Sequence, residues 1–191
     1  MPRTSPMSNG MYNPMLIKTL NEINVDGIVA EYKRLEAGIV WSEMGSKGKQ
    51  AGLQYKISPW TIDPENDKME TLAWTSAVGR NQGLELSYDN LNPFFKDTIF
   101  EKLIIDYKLA RARLMWINPM SCYSIHIDST PRIHIPMITN SECYFVFKQD
   151  DQGLIKHMPE GYVYWTDTRV PHTFINCSEL PRLHLIGVVE S

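Results

Sequence analysis

The sequence predicts a mainly β fold with flanking α-helices, and three observations carry that expectation. From residue 111 onward the pattern has a period of two, in the runs RARLMWI, SCYSIHID, RIHIPMI, CYFVFK, YVYWT and RLHLIGVV, which are rich in β-branched and aromatic residues. Turn chemistry separates them: Asn118-Pro119, Asp128-Ser129-Thr130-Pro131, Asp150-Asp151-Gln152-Gly153 and Pro159-Glu160-Gly161. Before residue 110 the regular stretches have helical spacing instead. Short strands at this rhythm make a double-stranded β-helix of the jelly-roll, cupin-like kind, with the helices packed on one outer face.

Taken in chain order, residues 1–15 read as a flexible leader. The opening MPRTSPMSNGMYNP is polar, rich in Pro, Ser and Asn, and lacks the apolar core of a signal peptide. Residues 16–191 then form one domain, with a helical and mixed half over 16–110 and a jelly-roll core over 111–190. In the first half Ile28, Val29, Tyr32 and Leu35 recur at helical spacing, with Gly38 as a stop signal. A short strand is expected from Leu53 to Ile57, before the breaker Pro59. A second helix is expected with Asn92 as its N-cap and Pro93 in its first turn. Its apolar stripe is Phe95, Ile99, Leu103 and Tyr107, with Lys96, Asp97, Glu101 and Lys102 off the stripe.

Composition narrows the function classes. A chain of 191 residues with 43% hydrophobic content fits one domain with a substantial core. The net charge of −3 implies no strongly basic face, which speaks against nucleic acid and anionic membrane as partners. Apolar runs of only a few residues are too short to span a bilayer. Cys122, Cys143 and Cys177 are an odd number without CxxC spacing, as expected of free thiols in a reducing, cytoplasmic compartment.

The chemistry concentrates in the β half, where all five histidines lie after residue 125. His126 and Asp128 form an HxD pair, expected on one strand with both side chains on one face. His172 follows after 43 intervening residues. Two imidazoles and a carboxylate on one side of a metal leave the opposite positions open, the facial triad of non-haem iron(II) oxygenases, which must admit a cosubstrate and O2. The competing reading is a surface turn in which Asp128 caps a loop.

Arg182, ten residues beyond His172, separates the two. A 2-oxoglutarate cosubstrate chelates iron through its 1-carboxylate and keto oxygen, and its distal carboxylate needs a partner inside a barrel. A planar guanidinium binds that group with two parallel hydrogen bonds. Arg182 shares a strand face with His184, Ile186 and Val188. Alternatively it sits at the strand end and reaches solvent. Arg132 and His134 likewise share a face with Pro136, opposite Ile133, Ile135 and Met137. That face either lines a site or points to water, because unpaired polar groups in a core cost several kcal/mol. Tyr164, Trp165, Phe145 and Phe147 read as ordinary barrel core.

These residues resemble a family. The runs H-I-D-S-T-P-R-I-H-I-P, G-Y-V-Y-W-T-D-T-R-V-P-H-T-F-I-N and P-R-L-H-L-I look like the aspartyl/asparaginyl β-hydroxylases among the 2-oxoglutarate oxygenases, over about residues 111–189. The resemblance implies His126 and His172 as iron ligands, completed here by Asp128. It implies Arg182 on the distal carboxylate of 2-oxoglutarate, Arg132 and His134 helping to hold that cosubstrate, and Asp167 shaping the loop before His172. The loop between His126 and Arg132 is short for the family. The implied reaction hydroxylates a C–H bond of a small molecule or amino-acid side chain with Fe(II), 2-oxoglutarate and O2, releasing succinate and CO2. A protein aspartyl/asparaginyl substrate, a cupin enzyme with another metal, and a non-catalytic cupin-like protein remain as alternatives. The substrate pocket is expected around Gln54, Tyr55 and Trp60.

Overall fold

The computed structural model describes residues 16–55, 85–149 and 152–190. The leader, Ile57, Pro59, Trp60 and the Asp150-Asp151 part of one turn lie outside these residues. Two antiparallel sheets face each other as a double-stranded β-helix. The larger contains β1 (Ile17–Glu22), β2 (Ser42–Glu43), β3 (Gly48–Gly52), β6 (Ala110–Ile117), β8 (Arg132–Ile138), β11 (Tyr162–Thr166) and β13 (Arg182–Val188), in the order β1-β11-β8-β13-β6-β3-β2. The smaller contains β7 (Ser121–Cys122), β9 (Cys143–Gln149), β10 (Gln152–Lys156) and β12 (His172–Asn176), in the order β10-β9-β12-β7. A separate two-stranded pair joins β4 (Gln54–Tyr55) to β5 (Asn90–Leu91). The mainly β, cupin-like architecture with helices on one face is therefore observed.

The period of two explains how one sheet serves two purposes. Ala112, Leu114, Ile133, Ile135, Met137, Leu183 and Leu185 point outward and pack against the helices. These are α1 (Val25–Leu35), which buries Ile28, Tyr32 and Leu35, and α2 (Ile99–Asp106), which buries Phe100, Leu103 and Ile104. The alternate residues of the same strands, Arg111, Arg113, Arg132, His134 and Arg182, point inward to a cavity. A second cluster, including Phe145, Phe147, Phe174 and Ile117, packs between the sheets. Gly48 is required where β3 starts to pair with β6: at φ +144°, a Cβ there would collide with the Trp116 carbonyl oxygen.

Two expected elements are shorter than their sequence patterns. Asn92 caps a 3-10 turn over Pro93–Phe95, accepting from the Phe94 amide at 3.1 Å, and does not start the second helix. The chain turns at Asp97 (φ +59°), so α2 begins only at Ile99 and its buried stripe moves to Phe100, Leu103 and Ile104. In SCYSIHID only Ser121–Cys122 is a strand, and His126 forms an isolated bridge to His172. Of the strand expected from Leu53 to Ile57, Gln54–Tyr55 form β4 and Leu53 bonds through its backbone to Ala112 and Asn92, while Lys56 and Ile57 are outside the described residues. Strands β1 and β10 had no clear alternation to reveal them.

Candidate metal centre and cavity

His126 and His172 face each other across that bridge, exchanging backbone hydrogen bonds of 3.0 and 2.9 Å. Their rings are consequently 4.4 Å apart, centre to centre. Asp128 is fixed two residues on by its amide, which donates to the Thr168 carbonyl at 2.9 Å. A ligand atom from each of His126, Asp128 and His172 lies within 4.8 Å of the others. The HxD pair thus converges on His172 through a bridge and a turn, without the regular strand expected from its spacing.

The hydrogen bonds around the triad orient it for a cation. His126 Nδ1 lies 2.8 Å from the Ser124 carbonyl oxygen and His172 Nδ1 2.9 Å from that of Val170. A carbonyl only accepts, so each Nδ1 carries a proton and each Nε2 is the ring atom left to ligate. The two Nε2 atoms stand 4.0 and 3.7 Å from the Asp128 carboxylate, too far for hydrogen bonds. Three donors therefore face one another without satisfying one another, and the set fits a divalent metal. Burial pushes the His172 pKa down, against the raising effects of the Val170 carbonyl and the Asp128 charge. The neutral imidazole is the form that ligates.

Arg132 braces Asp128. Its Nε makes an ion pair with Asp128 Oδ2 at 3.2 Å, while Nη1 and Nη2 form a fork on Glu85 at 3.0 and 2.9 Å. Glu85 is fully buried and also accepts from Arg111, Ser129 and Thr130. Burial opposes its ionisation, but the charges and hydrogen bonds of Arg132, with Arg111 and Thr130, hold its pKa down at about 2. Arg111 itself shifts downward, because burial and its neighbour Arg132 outweigh Glu85. Nothing in the sequence pattern pointed to Glu85.

Arg182 contrasts with Arg132. It is 1% exposed and has no carboxylate partner among the described residues. Its Nη2 is 2.8 Å from His184 Nδ1, its guanidinium carbon sits 3.6 Å from the Phe174 ring centre, and its Nε has no hydrogen-bond partner among the described residues. Burial pushes its pKa down to about 9, leaving it a cation at neutral pH. His134 is also buried, with both ring nitrogens unpartnered among the described residues, and desolvation followed by nearby arginines keeps it neutral. The solvent-facing alternative for Arg182, Arg132 and His134 is thus excluded by their burial.

All six sequence-derived residues, His126, Asp128, His172, Arg182, Arg132 and His134, line one cavity of about 460 Å³. That volume is within the ~300–1,000 Å³ range of ligand pockets. Phe145 and Phe174 also line it, and Phe145 stacks on His172 at 5.3 Å. Phe147 and Tyr164 belong to the core between the sheets, while Trp165 packs on the helical side. Asp167 binds the Arg169 amide and guanidinium in the turn before His172. Gln54 instead holds the backbone, donating to Leu109 and accepting from Ala112.

No family model matches the chain. Among solved structures, it resembles an oxidoreductase of the 2OG-Fe(II) oxygenase family from Burkholderia pseudomallei, at 12% identity and a TM-score of 0.55, over 92% of this chain and 84% of that one. It also resembles SnoN, a non-haem alpha-ketoglutarate-dependent epimerase from nogalamycin biosynthesis, at 10% identity and a TM-score of 0.52, over 92% of this chain and 78% of that one. At such identities the likeness establishes a shared fold. Among the described residues no helix is long and apolar enough to cross a membrane.

Proposed function

We propose that this chain is an iron(II)- and 2-oxoglutarate-dependent oxygenase that hydroxylates a C–H bond of a small molecule or an amino-acid side chain. One observation carries the reading: a His-Asp-His donor set opens on the same cavity as a buried arginine that has no carboxylate partner among the described residues. Protein metal sites for several ions share the first feature. A dicarboxylate cosubstrate held to the metal by one end supplies the anion that the second calls for. The shared fold with 2OG-Fe(II) oxygenases adds to this.

His126, Asp128 and His172 would hold iron(II). When bound, iron would supply O2 activation coupled to the decarboxylation of 2-oxoglutarate to succinate and CO2. The Arg182 guanidinium would pair with the distal carboxylate, and Phe174 beneath it would keep it extended towards the cavity. Arg132 orients Asp128 and supports the cosubstrate side through charge, with His134 as a neutral, unpartnered imidazole facing the same space. Phe145 and Phe174 exclude water from the reacting region. The resemblance to aspartyl/asparaginyl β-hydroxylases makes amino acids and peptides the first substrates to test.

Purified protein supplied with Fe(II), ascorbate and 2-oxoglutarate is expected to release succinate slowly without a substrate. The His126→Ala variant should lose this turnover, and Arg182→Ala should lose at least tenfold in 2-oxoglutarate affinity. Wild-type turnover no greater than that of His126→Ala sinks the oxygenase reading.

A further inference from the structure

Given the proposed oxygenase function, on which this inference rests, the cavity holds more positive charge than a 2-oxoglutarate cosubstrate needs. Four guanidiniums line it, those of Arg111, Arg113, Arg132 and Arg182. The carboxylates lining it are Glu85, Asp128 and Glu43, and the Lys47 ammonium, which sits over the Tyr123 ring, balances the charge of Glu43. Glu85 occupies Arg111 and Arg132, and Arg132 holds Asp128. Arg113 and Arg182 are left without a carboxylate partner among the described residues.

Arg113 is as unusual as Arg182. It is 8% exposed, its Nε has no hydrogen-bond partner among the described residues, and it lines the cavity from β6. Burial pushes its pKa down to about 9, so it too is charged at neutral pH. An isolated buried cation costs several kcal/mol unless an anion accompanies it. One dicarboxylate cosubstrate cannot serve both arginines. Its first carboxylate is taken by the metal, leaving one to be paired. The register also separates them: Arg182 stands opposite Ile117 and Arg113 opposite Ile186, four residues apart along β6. At ~3.3 Å per residue their backbones are about 13 Å apart. Arg113 lies among the charges of Arg111, Arg132, Glu85 and Asp128, and both it and Arg182 act on Tyr123 and His134 between them. The two cations therefore enter one cavity from well-separated backbone positions.

We propose that Arg113 anchors a carboxylate of the substrate, so that the molecule hydroxylated here is itself an acid. Arg182 takes the cosubstrate, and Arg113 takes the second anion. A neutral analogue strips water from Arg113 without replacing it, so the site discriminates by charge. The carboxylate can belong to a free acid or chain terminus, or to an acidic side chain.

The test uses anaerobic protein loaded with Fe(II) and saturated with 2-oxoglutarate, titrated with propionate in a calorimeter, with propionamide as the uncharged control. The proposal expects saturable propionate binding and at least tenfold weaker propionamide binding. Arg113→Met should weaken propionate at least tenfold while 2-oxoglutarate affinity stays within about twofold; Arg182→Met should do the reverse. Acetylglycine and N-acetylaspartate α-methylamide, competed against propionate, then distinguish a terminal carboxylate from a side-chain one. No propionate binding by the wild type, equal binding of propionamide, or an Arg113→Met variant that loses 2-oxoglutarate overturns the proposal. Should Arg113→Met fail to fold, the propionate–propionamide contrast in the wild type decides. A wild type that never takes up 2-oxoglutarate refutes the oxygenase reading instead, at the loading step before propionate is added.

Discussion

Arg132 and Arg113 face the same cavity from strands of one sheet and are nearly equally buried, at 3% and 8% exposure. They differ in company. Arg132 spends its fork on Glu85 and its Nε on Asp128, whereas Arg113 has no ion pair among the described residues. A buried cation with its anion supplied by the chain is part of the structure. A buried cation without one is half of an interaction whose other half arrives from outside. That distinction assigns Arg132 to positioning and leaves Arg113 and Arg182 for ligands, although all three look alike by burial.

Stability is where the two kinds should part most widely. Glu85→Ala leaves Arg111 and Arg132 buried without their shared carboxylate, and removing one partner of a buried pair costs about 3–5 kcal/mol. Arg113→Met removes a charge that has no partner to strand and is expected to stay within about 1 kcal/mol of wild type, or to gain stability. Urea unfolding of both variants, without metal or cosubstrate, measures the difference. Equal losses would erase the distinction and give Arg113 a structural partner.

Acid provides a milder version of the same contrast. The folded-state pKa of Glu85 is depressed to about 2 from an ordinary 4.5, so its contribution is fully present above the unfolded value and is lost as pH falls from about 4.5 towards 2. The shift corresponds to about 3 kcal/mol at most. The wild type should lose stability through this window, and Glu85→Gln should flatten that part of the profile while starting from a lower plateau. An unchanged acid limb in Glu85→Gln places the titration elsewhere.

How much of this was readable before the fold was known depends on the kind of signal. The double sheet was legible because each inward polar residue alternates with an outward apolar one, as in Arg132-Ile133-His134-Ile135. His126, Asp128 and His172 were legible by type and spacing, although the supporting backbone is a single bridge and not a strand. Arg113 carried the same parity signal in RARLMWI, where it alternates with Ala112 and Leu114 in the same manner as Arg182 with Leu183. Glu85 carried none. Its role depends on contacts with Arg111 and Arg132, 26 and 47 residues away, and no local period encodes such a contact. The second helix was overextended because Asn92-Pro93 satisfies helix-start chemistry and 3-10 turn chemistry equally well, and the left-handed Asp97 that interrupts the stripe is invisible to periodicity.

The smallest of the expected effects asks whether the brace reaches the metal. Arg132→Lys keeps the charge but loses the planar fork, and a single ammonium cannot hold two Glu85 oxygens and Asp128 together. Partial pairing with Glu85 should preserve the fold, so the loss appears instead in the freedom of Asp128. Removing a group that orients a ligand typically costs 10–100-fold in metal affinity. Chelator competition for Fe(II) should therefore show a loss at the lower end of that range, with His126 and His172 still held by their Ser124 and Val170 carbonyl contacts. Unchanged affinity in Arg132→Lys would mean that the Thr168 carbonyl, bonded to the Asp128 amide, is enough to aim the carboxylate. Arg132 would then join Arg113 and Arg182 as a cation available to whatever the cavity binds.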